Sequence, residues 1–181
     1  MANELPTILE NAENSLTPAA RECLALQLNE WRHVNQAIKE LEHRIQRQVK
    51  HSEQAQRLLR IKGVGIKISS AAEAYVGDGS GYKNGRHLAA SLGVVPKEHS
   101  SGGKQRLGGV TKRGNAYLRR LLIQGAWSVI RYAPTSDDRL SRWATQLITR
   151  RGKHKAAIAV ANKLARIIWA VSYYQTEYRS E

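Results

Sequence analysis

Apolar positions fall at helical spacing along most of this chain. From Leu24 through Leu28, Trp31, Val34, Ile38, Leu41, Ile45 and Val49 they step by three or four, with no Gly or Pro between. That spacing draws one stripe and predicts a single helix from Pro18 to about Lys50, with Thr17 as N-cap and Pro18 at its first position. A narrow stripe on so long a helix is close to a coiled-coil seam and is expected to need a partner helix, from a second copy or from another part of the protein. Docking along the chain's own globular part is the alternative. Residues 1–15 carry no pattern and are expected to fray.

Further on, Gln54 to Ile61 reads as a second helix. It leads into IKGVGIKISSAAEAYVG, where Gly63 and Gly65 predict a tight turn before a helix rich in small residues. This is similar to one helix-hairpin-helix unit, whose opening N–H groups and dipole form a phosphate site; an ordinary corner between two helices is the alternative. Asn84 is placed to cap a short helix, Gly85 to Leu92, that Gly93 stops. Val94-Val95-Pro96 is extended, and a small hairpin is expected around Val95 to Val110. Asn115 opens a helix to about Tyr132 that buries Leu118, Leu121, Leu122, Ala126, Val129 and Ile130. Ala133-Pro134 breaks it. Helices near 137–150 and 154–177 follow, the last burying Ile158, Ala161, Leu164, Ile168 and Trp169.

The expected fold is therefore mainly α: a coiled-coil-like helix, then a helical domain with a helix-hairpin-helix-like turn and a glycine-rich basic loop or small hairpin. The expected division is 1–53 and 54–181.

Composition narrows the function. The 181 residues, 41% of them apolar, can bury a core. The N-terminus has no secretory pattern, and no apolar run approaches the ~18–20 residues of a membrane span. The single Cys23 has no disulfide partner, and a cytoplasmic location is expected. The net charge of +14 lies entirely in residues 82–181, where nineteen Lys/Arg face five Asp/Glu; residues 1–81 hold ten of each. A basic half joined to a neutral half is the footprint of polyanion binding, with no membrane role.

The segment KEHSSGGKQRLGGVTKRGNAYLRR, Lys97 to Arg120, places Ser100 and Ser101 and five glycines among seven Lys/Arg. Glycine lets backbone N–H groups approach a ligand, and Lys and Arg supply charge-assisted bonds to phosphate. Lys104, Arg106, Lys112, Arg113, Arg119 and Arg120 surround the serines with Gly102 and Gly103; Lys62 and Lys67 flank the Gly63–Gly65 turn. Arginines there can stabilise charge in phosphoryl transfer and leave serine as nucleophile. His99 is adjacent, but neighbours in an extended chain point apart and a triad's orienting carboxylate is absent. Asp137-Asp138 reads as a helix cap, so neither a metal cluster nor a zinc site is expected.

The ordered matches G-V-G, L-A-A-x-L-G, P-x-x-x-S-S-G-G-K and K-R-G-N-x-Y-L-R-R closely resemble the C-terminal transposase domain of the insertion-sequence-one-ten family. The likeness runs over roughly 58–178, through RRGKHKAAIAVANKLARIIWAV. It implies a DNA recombinase whose serine motif falls on Ser100-Ser101-Gly102-Gly103. Ser100 is the implied nucleophile, and Ser101 stays open. Family members also resemble a RuvC-like nuclease domain with acidic Mg²⁺ ligands, joined through a coiled coil, and several are guided by a bridge RNA.

The resemblance begins here at the coiled coil, so Mg²⁺ is expected only in a nuclease domain that this sequence lacks, with no cofactor in this chain. DNA, a guide RNA and a second copy through 18–50 are the expected partners. The alternative function is a non-catalytic nucleic-acid-binding or dimerising remnant.

Overall fold

Residues 4–104 and 106–179 are described by a computed structural model. Among them eight α-helices and one two-stranded antiparallel sheet form a mainly α fold. Residue contacts divide the chain into two compact units, 1–46 and 47–181.

In the first unit a short helix, α1 (Leu5–Glu10), occupies a stretch expected to fray. Pro6 in its first turn is the local reason, because its fixed φ suits a helix start. Arg21 donates to the Leu9 carbonyl at 2.7 Å, and the Asn14 amide bonds the Ile8 carbonyl at 2.5 Å. The long helix α2 (Pro18–His51) begins where its cap predicts, with the Ala20 N–H on Thr17 Oγ1 at 3.2 Å. Along its stripe Trp31, Val34, Ile38 and Leu41 stand 47–56% exposed.

The second unit is built around α8 (Lys153–Tyr174). It meets α3 (Glu53–Leu59), α4 (Ile66–Val76), α5 (Gly85–Ser91), α6 (Ala116–Tyr132) and α7 (Arg139–Arg151). Alanine dominates the buried face of α8: Ala156, Ala157, Ala161 and Ala165 are at most 1% exposed, with Val160, Leu164 and Ile168 beside them. Small side chains let several helices approach one axis closely. By length and composition α8 could cross a membrane, contrary to the expectation that no run comes near a span; half of that window is buried inside this bundle, which is the ordinary reason for such a run.

The other helices start and stop as their caps require. Asn84 accepts from the His87 N–H at 3.0 Å, Asn115 from Leu118 at 3.0 Å and Asp138 from Ser141 at 3.0 Å. Leu118, Leu122, Ala126, Val129 and Ile130 of α6 are buried as the pattern predicts, while Leu121 is only half-buried. A 3₁₀ turn, Ala133–Thr135, ends α6 at Pro134.

Gly63 and Gly125 make one of the closest approaches in the core. A Cβ on Gly125 would lie 2.2 Å from the Gly63 carbonyl oxygen, and one on Gly63 would lie 2.6 Å from Val129 Cγ2. Gly63 also sits at φ +84°, where side chains are strained. The turn between α3 and α4 is thus pressed directly onto the middle of α6. Gly125→Ala is expected to lower unfolding free energy by about 3 kcal/mol through overpacking, measured by urea melts, whereas Gly65→Ala, with no atom within 4 Å of its Cβ, should cost far less.

Candidate nucleic-acid interface

The glycine-rich basic segment folds as a hairpin. Strands β1 (Pro96–Glu98) and β2 (Leu107–Val110) pair antiparallel, Pro96 opposite Val110 and Glu98 opposite Leu107. The pairing continues outward: His99 N–H bonds the Arg106 carbonyl at 2.9 Å, and Lys104 N–H bonds the Ser101 carbonyl at 3.1 Å. Gly102 and Gly103 form the two-residue tip at φ +58° and +73°. Two successive left-handed residues define a type I′ turn, which only glycine and a few polar residues tolerate. Open space above both leaves their backbone accessible.

Ser100 sits two residues before this tip with both sides of its hydroxyl engaged. Its Oγ donates to Glu98 Oε1 at 2.7 Å and accepts from the Arg106 N–H at 3.1 Å. Residues two apart in extended chain share a face, and Ser100 lies two residues beyond Glu98, the last residue of β1. The carboxylate that a triad through His99 lacks is thus present at Glu98, bonded directly to the serine. Among the described residues no hydrogen bond links the His99 imidazole to either serine. The i, i+2 spacing of Glu98 and Ser100 in extended chain is the signal that points to this pair. Ser101 closes the tip through its backbone, paired with Lys104.

The base of the hairpin is held by backbone contact. A Cβ on Gly114 would lie 1.7 Å from the Ser91 carbonyl oxygen, and one on Gly93 2.2 Å from the Arg113 carbonyl oxygen. Thr111 N–H bonds Val95 O at 2.9 Å and Lys112 N–H bonds Gly93 O at 3.2 Å, with Lys112 itself at φ +57°. Arg119 reaches back from α6 to the carbonyls of Leu92 and Arg113, each at 3.1 Å. Part of its donor capacity therefore braces the loop. Arg120 bonds the Ala116 carbonyl at 3.3 Å and stays exposed.

Lys104, Arg106, Lys112 and Arg113 are exposed around the hairpin, and Tyr117, 56% exposed, adds an aromatic face on the first turn of α6. The structure thus gathers the serines, Gly102, Gly103 and six of the predicted cations onto one hairpin and the helix start behind it.

The second predicted cluster lies apart. Gly63 abuts Gly125, ten residues along α6 from the Asn115 cap, roughly 15 Å of helix rise. Gly65 caps α4, with Lys67 exposed in the first turn. Lys62 faces inward, its ammonium 2.5 Å from Asp138 Oδ2 and 2.8 Å from Ser141 Oγ. Burial alone would raise the Asp138 carboxyl, but hydrogen bonds from Lys62 and Ser141, with the Lys62 charge, hold it at about 2. This network fastens the α3–α4 turn to the start of α7. Among the described residues no three His, Cys, Asp or Glu side chains converge as ligands for a metal ion.

Residues 55–141 match the family described as Transposase IS116/IS110/IS902. Curated relatives of the transposase class align across nearly the whole chain. A probable family 20 transposase of Pseudomonas aeruginosa is 41% identical over 97% of this chain and 52% of its own length. The transposase for insertion sequence element IS1111A of Coxiella burnetii is 40% identical over 97% of this chain and 48% of its own. That for IS1328 of Yersinia enterocolitica is 36% identical over 92% and 50%. Residues 55–141 are thus similar to transposases of the IS116/IS110/IS902 family, and the chain spans about half the length of these curated relatives.

The depressed Asp138 carboxyl contributes stability that is complete above its ordinary value of 3.8 and is lost as pH falls through about 2. Lys62→Met should lower stability at neutral pH by about 1–3 kcal/mol and flatten the acid limb of a stability–pH profile below pH 4. A parallel loss at every pH would contradict the ion-pair assignment.

Proposed function

We propose that this chain is the serine-bearing, DNA-binding part of a transposase, and that Ser100 is its nucleophile. The observation that carries this reading is the hydroxyl geometry at the hairpin: Ser100 Oγ already donates to the Glu98 carboxylate, beneath a backbone-open glycine tip ringed by cations. In the proposed step the Oγ–H proton passes toward Glu98 as Oγ attacks a DNA phosphorus. An Oγ–P bond forms, one P–O ester bond breaks, and the departing oxygen takes a proton from solvent. A hydroxyl of a second strand later reverses the exchange. Arg106, Lys104 and Arg113 neutralise charge on the phosphoryl oxygens, as transferring phosphoryl groups require. The proposal also assigns the α4 N-terminus at Gly65 and Lys67 to a sequence-independent phosphate contact.

Mg²⁺ and guide-RNA contacts are assigned to the part of a full transposase outside this sequence, in keeping with the half-length match to the relatives. The half-exposed α2 stripe favours a homo-oligomer, because four large apolar side chains left in water at helical spacing are stabilised by a second copy. Ile38→Asp with Ile45→Asp should convert the assembly to monomers in sedimentation while leaving the helical unit 47–181 folded. A wild-type chain already monomeric at micromolar concentration would remove the self-association.

Catalysis is tested in a complex supplied with the remaining half of a curated relative. Ser100→Ala should abolish the covalent protein–DNA adduct on a denaturing gel and leave DNA binding intact, since only the nucleophilic oxygen is lost. Glu98→Gln should slow adduct formation by about 10²-fold. An adduct that survives Ser100→Ala and disappears with Ser101→Ala moves the nucleophile by one residue. Survival in the double variant refutes serine chemistry and favours the non-catalytic reading.

A further inference from the structure

The outer face of α8 carries a second basic surface, separate from the hairpin tip and the α3–α4 turn. Three open hollows of 550, 340 and 440 Å³ lie along it, and Lys163 lines all of them. Lys155 and Arg166 stand on the same helix, Arg86 comes from α5, and Arg139 and the half-buried Trp143 come from α7. Among the described residues no acid lines any of the three. Lys155, Lys163, Arg166 and Arg86 are all exposed and form no ion pair with a described carboxylate. Four cations brought together with no paired carboxylate among the described residues repel one another, and a polyanion relieves that repulsion.

The floor of this groove is apolar. Ile158, expected from the sequence to be core, is only half-buried there, and Ala159 and Ile167 continue the floor. A duplex turns its phosphates outward and its bases inward, so it gains little from an apolar floor. A single strand presents both, with backbone for a basic rim and base faces for apolar and aromatic surface. Lys155 to Ala170 covers roughly 22 Å of helix, room for several nucleotides. One end of the groove reaches Pro96, the first residue of β1, and Ser100 lies four residues further along the same extended arm.

We infer that this groove binds single-stranded DNA, with Lys155, Lys163, Arg166 and Arg86 on the phosphodiesters and Trp143 stacking on a base. The inference rests on the DNA-handling reading above and deepens it: the groove holds an unpaired strand on the side from which the hairpin is approached.

The test is fluorescence anisotropy on the full chain with labelled oligothymidylate, duplex DNA and an oligouridylate competitor. Lys163→Gln with Arg166→Gln should weaken oligothymidylate binding about tenfold or more and leave duplex affinity within twofold. The slope of log affinity against log salt should fall by about 1.4, near 0.7 for each lost phosphate contact. Both side chains are exposed, so the variant should fold as the parent by circular dichroism. Independently, oligothymidylate should quench tryptophan emission in the parent and much less in Trp143→Leu. If the parent binds duplex and the double variant holds oligothymidylate as tightly as the parent, the groove assignment falls and the hairpin reading stands. If the parent binds neither DNA, the broader reading falls too. Preferential displacement by oligouridylate, or by an acidic peptide, would overturn single-stranded DNA as the occupant.

Discussion

Two pairs of touching backbones set the arrangement on which the candidate chemistry depends. At Gly93 and Gly114 the end of α5 and the approach to α6 meet with no room for a Cβ, and the hairpin 96–110 is the loop pinched off between them. Its strands are short and its faces exposed, so the hairpin has little core of its own; a two-stranded hairpin alone is marginal in water. Its orientation is imposed from the base. The Arg119 guanidinium, bonded to Leu92 and Arg113 carbonyls, adds a charged brace there. Gly63 and Gly125 repeat the device lower on α6 and fix the α3–α4 turn.

Behind both contacts stands α8, whose alanine-rich inner face lets five helices approach one axis. The same helix turns cations outward. One element thus supplies the packing that holds the hairpin's base and part of the excess positive charge. The separation is a matter of helical period: Val160, Leu164 and Ile168 face in, while Lys155, Lys163 and Arg166 face out.

Much of this was legible in the sequence. Thr17, Asn84, Asn115 and Asp138 each cap the helix they were placed to start or, for the aspartate, the helix its acidic pair announced, because capping is local chemistry written in adjacent residues. The hairpin and the mainly α class followed from the same local signals, as did the buried face of α6. Long-range pairings were not legible. Lys62 was read as a phosphate ligand, and its tie to Asp138 joins residues seventy-six apart that no local pattern connects. The Glu98–Ser100 contact is local, but it lies where β1 has ended, in extended chain that the sequence pattern does not mark. Ile158 was assigned to the core by period alone, and the width of the apolar face, which tertiary packing decides, leaves it at the groove.

The braced hairpin is proposed as the surface that meets DNA. Hydrogen exchange read by mass spectrometry, with and without duplex DNA, tests this most directly. Amides from Lys97 to Gly114 should become markedly slower on binding, with a smaller change at the first turn of α4, while the buried centre of α8 stays as it was. Unchanged exchange across the hairpin at saturating DNA would contradict the account.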